Sequence, residues 1–393
     1  MRQKIRAYQG KILIAVAALL WLGVAAASAH KCFYPPASGR TVFHTFVGAA
    51  ESFKNGESPY FPLERGYQYS PAFAAALTPL AYLPPPFAAL TWSVLNLAVL
   101  FLGAYFFARR FLAPPRRAWF LIAIIPLAWE GIYVYQSNPL LGGLLMLGAV
   151  AVANGKFWRG AVALLIPGIV KIAPFCFPIL TAAVFPRLSW RYAVVVAALL
   201  GALCLWVEPA YLLDCFRGWF AVINHKADMP YFHDMFGLYQ YVTTGVIPHR
   251  ERIYDMRVYR VAQLAAAGLA FFAVLKVAYR GGGDKSEATV FAYAAGAWWL
   301  TLFGPSTEIA TLSMMAGGFA WSMLAAKGQR GFYWALAAYV LAALGASGDL
   351  EWHLRRWFID YQNPTKILLP LGGIAWGVWL FGFRLKEQLK INN

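Results

Sequence analysis

Charge is scarce in this chain. Asp, Glu, Lys and Arg make up 13% of the 393 residues, whereas hydrophobic residues make up 60% and the mean hydropathy is +0.54. An apolar fraction this large exceeds what the core of a soluble domain needs. The sequence therefore predicts an integral membrane protein, for which the bilayer is the main solvent.

Acidic residues and cysteines are also few, with 17 Asp and Glu and four cysteines. The cysteines, Cys32, Cys176, Cys204 and Cys215, lack the spacing of zinc ligands or of a redox pair. Four of the His and Asp residues between 208 and 258 (His225, Asp228, His233, Asp234) lie close together in the sequence but match no strong metal motif either. We therefore expect no metal and no cofactor. A disulfide between Cys32 and Cys215 is left open, because both fall in predicted outer segments.

The positive charge is distributed in short clusters between apolar runs. Lys and Arg number 34 and give a formal net charge of +17, but nucleic-acid-binding proteins concentrate their cations on one face, so no nucleic-acid partner is expected. With the N-terminus in the cytoplasm, every inner loop is basic, and the acids there are Asp284, Glu287 and Glu387. This pattern obeys the positive-inside rule and predicts a multi-pass protein of the cell (inner) membrane with both termini cytoplasmic.

Apolar stretches of spanning length recur along the chain and predict an all-α polytopic bundle of about 12 transmembrane helices. The first stretch resembles a signal peptide, but its length predicts an uncleaved helix. We predict a single membrane domain over 1–393, made of a first transmembrane helix (10–29), an outer loop with interfacial helices (30–84), transmembrane helices (85–207), an outer loop or lid (208–258), transmembrane helices (259–383) and a cytoplasmic tail (384–393).

The first outer loop contains two short apolar pieces. In residues 42–55, Phe43, Phe46, Ala50 and Phe53 recur with helical spacing, which predicts an amphipathic helix lying on the membrane surface. Residues 71–83 contain Pro79 and are too short to span, so they are expected to be interfacial or partly inserted.

Several short motifs occur in a fixed order across these segments. They are Gly48-Ala49-Ala50, Lys54-Asn55-Gly56-Glu57-Ser58-Pro59-Tyr60, Tyr67-Gln68-Tyr69-Ser70-Pro71, Leu83-Pro84, Trp92, Gln136-Ser137-Asn138 and Lys171-Ile172-Ala173-Pro174. The ordered set resembles the signature of glycosyltransferase family 87. Members of that family resemble GT-C enzymes, which are multi-helix membrane proteins that move a sugar from a polyprenyl-phosphate carrier to an acceptor on the outer face. The resemblance implies a hexosyltransferase that uses a mannose-like sugar, a lipid or glycan acceptor and a single inverting displacement.

One position departs from the family pattern. The first loop of the family carries an acid, usually Asp, some seven residues before the Ala-Ala pair, and this acid resembles the base or acceptor-positioning group of GT-C enzymes. In this sequence the position falls on Val42, which cannot accept a proton. Three explanations are open: another acid has taken the role, the alignment slips locally, or the chain no longer performs the reaction.

Transfer from a lipid phosphate requires a carboxylate to activate the acceptor hydroxyl. Glu308 follows Gly304-Pro305-Ser306-Thr307 at a predicted outer boundary between helices, where it is either a catalytic acid or an acid favoured by the helix dipole. Glu51 shares one helix face with His44, and the two are either a catalytic pair or part of a solvated polar face. Our catalytic candidates are therefore Glu308, Glu51 and His44.

The departing phosphate requires cations or polar donors. Lys171 lies near the outer end of an apolar run, where it either extends to the interface or contacts the phosphate. Arg65 is a second candidate cation, although loop arginines are usually solvated. The remaining candidates for donor-phosphate or substrate binding are Tyr69, Gln136 and Asn138, of which Gln136 and Asn138 could instead be helix caps.

Two other functions compete with the enzyme interpretation. A lipid or sugar transporter or flippase would be expected to show paired halves and charges near the bilayer midplane, whereas the acids gather at the predicted outer boundary. A catalytically silent relative that serves as a partner subunit would explain Val42. The expected partners of the enzyme are a polyprenyl-phosphate sugar donor, a lipid or glycan acceptor and membrane lipids.

Overall fold

The computed structural model describes residues 2–34, 41–61, 66–226, 234–238, 256–280, 285–304, 307–354 and 365–390, which contain helices and no β-strand. The helices are α1 (Arg2–Phe33), α2 (Phe43–Lys54), α3 (Pro71–Leu77), α4 (Pro85–Phe111), α5 (Pro114–Tyr133), α6 (Asn138–Ala153), α7 (Phe157–Val170), α8 (Cys176–Val184), α9 (Leu188–Trp206), α10 (Pro209–Lys226), α11 (Met256–Arg280), α12 (Lys285–Phe303), α13 (Leu312–Ala326), α14 (Phe332–Gly345), α15 (Gly348–Leu354), α16 (Thr365–Gly377) and α17 (Leu385–Lys390). A π-helical segment, Val378–Arg384, joins α16 to α17.

Six helical stretches in the described ranges are long and apolar enough to cross a membrane: Gly10–Phe33, Pro85–Phe111, Leu188–Trp206, Arg257–Tyr279, Ile309–Ala326 and Thr365–Leu389. Four shorter apolar stretches lie between them, Asn138–Ala153, Phe157–Val170, Ala173–Val184 and Phe332–Gly345. The predicted all-helical membrane fold is confirmed at this level. The number of about 12 spans stays a prediction.

One end of the bundle gathers basic residues from several helices, and we call it the basic end. Arg116, near the start of α5, donates to the Lys327 carbonyl at the end of α13 at 3.2 Å. Arg384 pairs with Glu287 at the start of α12 at 2.7 Å. Segments predicted to share the cytoplasmic side therefore lie together.

The opposite end, which we call the loop end, carries described parts of the first connecting segment, among them residues 41–42 and 66–70. The Val42 amide donates to the Val134 carbonyl at the end of α5 at 3.1 Å. The Trp219 indole of α10 donates to the Gln68 carbonyl at 3.0 Å. Backbone and side-chain hydrogen bonds thus hold residues of the first connecting segment against the end of α5 and against α10.

Helix α2 packs its apolar face onto the bundle. Phe46 is buried, and its ring lies 5.1 Å from the ring of Tyr69, 5.6 Å from that of Phe73 and 5.6 Å from that of Trp92, measured between centroids. Such aromatic pairs contribute about 0.5–1.5 kcal/mol each beyond the area they bury. The predicted amphipathic helix is present, and its place at the membrane surface stays a prediction.

Helix α6 is held between α4 and α13 by close backbone contacts. A Cβ on Gly143 would lie 2.4 Å from the Val99 carbonyl of α4, and one on Gly142 would lie 2.6 Å from the Ser313 carbonyl of α13. Small residues allow membrane helices to approach this closely. The packing fixes the first turn of α6 at the loop end.

Helix α10 occupies part of the segment that we predicted as an outer loop or lid. Its buried side chains, Leu212, Cys215, Trp219 and Val222, recur with helical spacing. This periodicity was present in the sequence and should have predicted a helix. Cys32 and Cys215 are both free thiols in the structure.

Candidate active site

The turn between α5 and α6 has a strained backbone. Tyr135 has a φ of +56°, in the left-handed region that non-glycine residues rarely adopt. Its hydroxyl donates to the Ser28 carbonyl at 3.0 Å, and its own carbonyl accepts from the Trp92 indole at 2.9 Å. These contacts hold a conformation that determines where Gln136 and Asn138 point.

Lys171 follows the last residue of α7. Pro174 lies three residues further on and cannot continue a helix, and Lys171 itself is extended. The Val170 carbonyl, left free at the helix end, accepts from the Ser70 amide at 3.2 Å. That backbone hydrogen bond brings the Tyr67–Ser70 motif beside Lys171.

Four predicted site residues meet here, and we call Tyr69, Gln136, Asn138 and Lys171 the lysine cluster. The Lys171 Nζ donates to Asn138 Oδ1 at 2.8 Å and lies 4.9 Å from the centroid of the Tyr69 ring. The Tyr69 hydroxyl donates to Gln136 Oε1. Lys171 is half-buried and the other three are buried.

Asn138 has unused hydrogen-bonding capacity. It is fully buried, and its Nδ2 has no hydrogen-bond partner among the described residues. A buried donor without an acceptor costs about 1–3 kcal/mol, which a bound acceptor group would relieve. An amide donor beside an ammonium is suited to bind an oxyanion such as a phosphate.

Glu308 acts electrostatically on this cluster. Burial raises the pKa of the Tyr69 hydroxyl, and the negative charge of Glu308 raises it further, so the two side chains are within electrostatic reach. Glu308 is exposed and forms a capping box with Thr311 at the start of the turn Ile309–Thr311. The predicted helix-terminal role is therefore observed, and the exposed carboxylate is also free to meet an acceptor from solvent.

His44 and Glu51 lie elsewhere, in what we call the α2 groove. This cavity of about 450 Å³ is lined by the polar face of α2, including Gly48, Asn55 and both candidates. It lies on the opposite side of α2 from Phe46, the residue that contacts Tyr69. The structure thus separates this predicted pair from the lysine cluster. Arg65 lies outside the described residues.

Val42 lies at the base of the same turn that supports the lysine cluster. Its amide hydrogen bond to the Val134 carbonyl is only two residues from Gln136. Val42, where the resemblance predicts an acid, therefore lies close in the structure to the turn that contains Gln136.

Asp234 is a further buried carboxylate, and it lies against Thr307, the residue that precedes Glu308. It is buried, and its Oδ1 accepts from the Gly237 amide at 3.0 Å. Burial raises the pKa of this carboxyl to about 7, against the opposing effect of backbone hydrogen bonds that include one from Thr307. Asp234 therefore fastens residues 234–238 to the segment that carries Glu308. No sequence motif indicated this contact.

The fold and the site define a helical membrane protein that holds a cation and amide donors at its loop end. Residues 67–305, more than half of the chain, match the sequence model of glycosyltransferase family 87. The chain belongs to this family, as the motifs indicated. Membership points to a membrane transferase with a sugar donor and an acceptor. A comparison with curated proteins found no match.

Proposed function

We propose that this protein is a membrane hexosyltransferase that moves a mannose-like sugar from a polyprenyl-phosphate carrier to a lipid or glycan acceptor on the outer face of the cell membrane. The observation that carries the proposal is the hydrogen bond of Lys171 to the buried Asn138, beside Tyr69. This arrangement offers a fixed positive charge and an unused amide donor where a lipid phosphate can approach.

In the proposed reaction, the Lys171 ammonium and the Asn138 amide bind the phosphate of the donor. The acceptor hydroxyl oxygen attacks the anomeric carbon from the opposite side, and the bond between that carbon and the phosphate oxygen breaks. The electron pair of that bond leaves with the carrier phosphate, whose growing negative charge Lys171 stabilises. One displacement of this kind inverts the anomeric configuration.

A base must accept the proton of the acceptor hydroxyl. Glu308 is the first choice, because its carboxylate is exposed and lies within electrostatic reach of Tyr69. Glu51 with His44 is the alternative base, in which case the acceptor would occupy the α2 groove. Arg65 and Tyr69 are proposed as further contacts to donor phosphate or sugar, and Gln136 orients Tyr69.

The direct test is transfer by the purified protein in liposomes, with polyprenyl-phosphate hexoses as donors and extracted membrane lipids as acceptors. Glu308→Gln and Glu51→Gln are assayed separately, and we expect the first to lose transfer. Full transfer by both variants would remove both proposed bases. Labelling of lipid extracts from cells with and without the protein then identifies the sugar and the acceptor.

A catalytically silent partner subunit is the second candidate, because Val42 stands where the resemblance to the family implies an acid. Val42→Asp separates the two functions, since position 42 lies beside the α5–α6 turn. If the native protein is inactive and the variant transfers sugar, the chain is a silent relative. Movement of the donor across the liposome membrane without transfer would instead favour a flippase.

A further inference from the structure

Helix α1 joins the bundle mainly through its half nearer the loop end. Its Trp21 indole donates to the Leu121 carbonyl of α5 at 3.1 Å, and the Ser28 and Ser93 hydroxyls lie 2.6 Å apart between α1 and α4. Towards the basic end the helix exposes its side chains, among them Ile14, which is 64% exposed. The two ends of α1 are thus packed very differently.

A groove of about 1020 Å³ opens between this part of α1 and helices α4 and α5. Its wall is mainly apolar and includes Leu13, Ala17, Phe101 and Leu121. The volume is at the upper limit of small-molecule sites, which measure about 300–1,000 Å³. A long apolar group therefore fits along α1.

The cations in the groove all belong to the basic end. Lys11, Arg109 and Arg117 line it, and its lining residues include no Asp or Glu. Arg117 donates through Nε to the Leu112 carbonyl at 3.1 Å. The side chains of Lys11 and Arg109 are exposed and make no hydrogen bond or ion pair with the described residues. One end of the groove is thus complementary to an anion.

We infer that this groove binds an anionic glycerophospholipid, with one acyl chain along the apolar wall and the phosphate at Lys11, Arg109 and Arg117. The three cations supply charge attraction to the headgroup, and the apolar wall accommodates the acyl chain. A water-soluble ligand would leave the apolar wall uncovered. The site lies at the opposite end of the bundle from the lysine cluster and does not depend on the proposed transfer.

The test uses the full-length protein, delipidated in a neutral detergent and titrated with phosphatidylglycerol or phosphatidylcholine. Native mass spectrometry counts the bound lipid. The variant Lys11→Gln with Arg109→Gln is compared with the variant Lys156→Gln with Arg159→Gln. These two control cations are exposed, one just before α7 and one in its first turn. The first pair should weaken phosphatidylglycerol binding roughly 30-fold, the loss expected for two interfacial cations, and the control pair less than about threefold.

A second pair of variants tests the apolar wall without a change in charge. Ala18→Trp fills the groove, whereas Ala15 is exposed on the same helix and lies outside the lining, so Ala15→Trp is its control. We expect only Ala18→Trp to abolish binding, with unchanged thermal unfolding in both. An equal loss of binding in a test variant and its control would overturn the inference. Equal binding of phosphatidylcholine and phosphatidylglycerol would overturn it as well. Displacement by glycerol 3-phosphate or preferential binding of a polyprenyl phosphate would also overturn it.

Discussion

The lysine cluster and the α2 groove both carry polar residues at the loop end, yet they differ in how those residues are held. The cluster draws Tyr69, Gln136, Asn138 and Lys171 from three separate segments, and they are joined by hydrogen bonds and largely buried. His44 and Glu51 come from one helix, are exposed, and form no side-chain hydrogen bond or ion pair with the described residues.

This difference matters because fixed dipoles and charges stabilise a transition state without reorganisation at the moment of reaction. A polar side chain on an exposed helix face must be ordered each time a ligand binds, which costs conformational entropy. We therefore expect substitutions in and beside the lysine cluster to have much larger effects on transfer than substitutions in the α2 groove.

The largest effect is expected for Glu308→Gln. Loss of a general base lowers rates by about 100- to 10,000-fold, while a glutamine oxygen can still accept the hydrogen bond of the Thr311 amide in the capping box. The measurement is kcat for sugar transfer in liposomes, with the unfolding temperature as a check on folding. A kcat within about threefold of the native value would show that Glu308 only caps the turn Ile309–Thr311 and is not the base.

The next effect is expected for Lys171→Met, which keeps the length of the side chain and removes its charge. Transfer should fall by about 100- to 1,000-fold, with a raised KM for the lipid donor, because the phosphate loses its cation. Lys156→Met is the matched control, since that residue is exposed at the connection between α6 and α7. If Lys171→Met and Lys156→Met are equally active, Lys171 has only a structural role, and the expected difference between the lysine cluster and the α2 groove is wrong.

A small effect is expected for His44→Ala combined with Glu51→Gln. Both side chains are exposed, so the protein should keep its fold, and kcat should change by less than about threefold because neither residue contacts the lysine cluster. A loss of more than about 100-fold would reverse the comparison. It would place the base in the α2 groove, where the acceptor would then bind.

The helices were largely predictable because their periodicity and length are local properties of the chain. The phenylalanine spacing at 42–55 predicted α2, which runs Phe43–Lys54, and the apolar stretch 10–29 predicted a helix that lies within α1. Helix α10 was missed because its polar and aromatic content suggested a loop, although its buried residues recur with helical spacing.

The sequence predicted which residues belong to the candidate site, but it did not predict which of their side chains contact one another. Motifs named Tyr69, Gln136, Asn138 and Lys171, but the two hydrogen-bonded pairs are separated by 67 and 33 residues along the chain. Such pairing depends on helix packing and on the left-handed Tyr135, which no local pattern reveals. The position of Asp234 against Thr307 is a long-range contact of the same kind.

The smallest effect is expected for Asp234→Asn. Asp234 is not part of the lysine cluster, but it hydrogen-bonds the segment that carries Glu308. Burial raises the pKa of Asp234 to about 7, from an ordinary value of 3.8. Between these pH values the folded chain holds a proton that the unfolded chain has released. The local stability of the segment therefore falls as the pH rises through this range, and it stays constant above about pH 7. Asp234→Asn should remove this slope, since asparagine is neutral and can still accept from Gly237.

Hydrogen exchange at Gly237 and Thr307 measures this local stability. In the native protein the protection factors of both amides should be lower at pH 8 than at pH 5, whereas in Asp234→Asn they should be equal. Asp214→Asn is the control, because the side chain of Asp214 is 70% exposed and pairs with Arg217 on α10. If all three proteins show the same dependence on pH, the proton is not on Asp234. Glu308 would then owe its position to the capping box and to Thr307, whose hydroxyl hydrogen-bonds the Leu300 carbonyl.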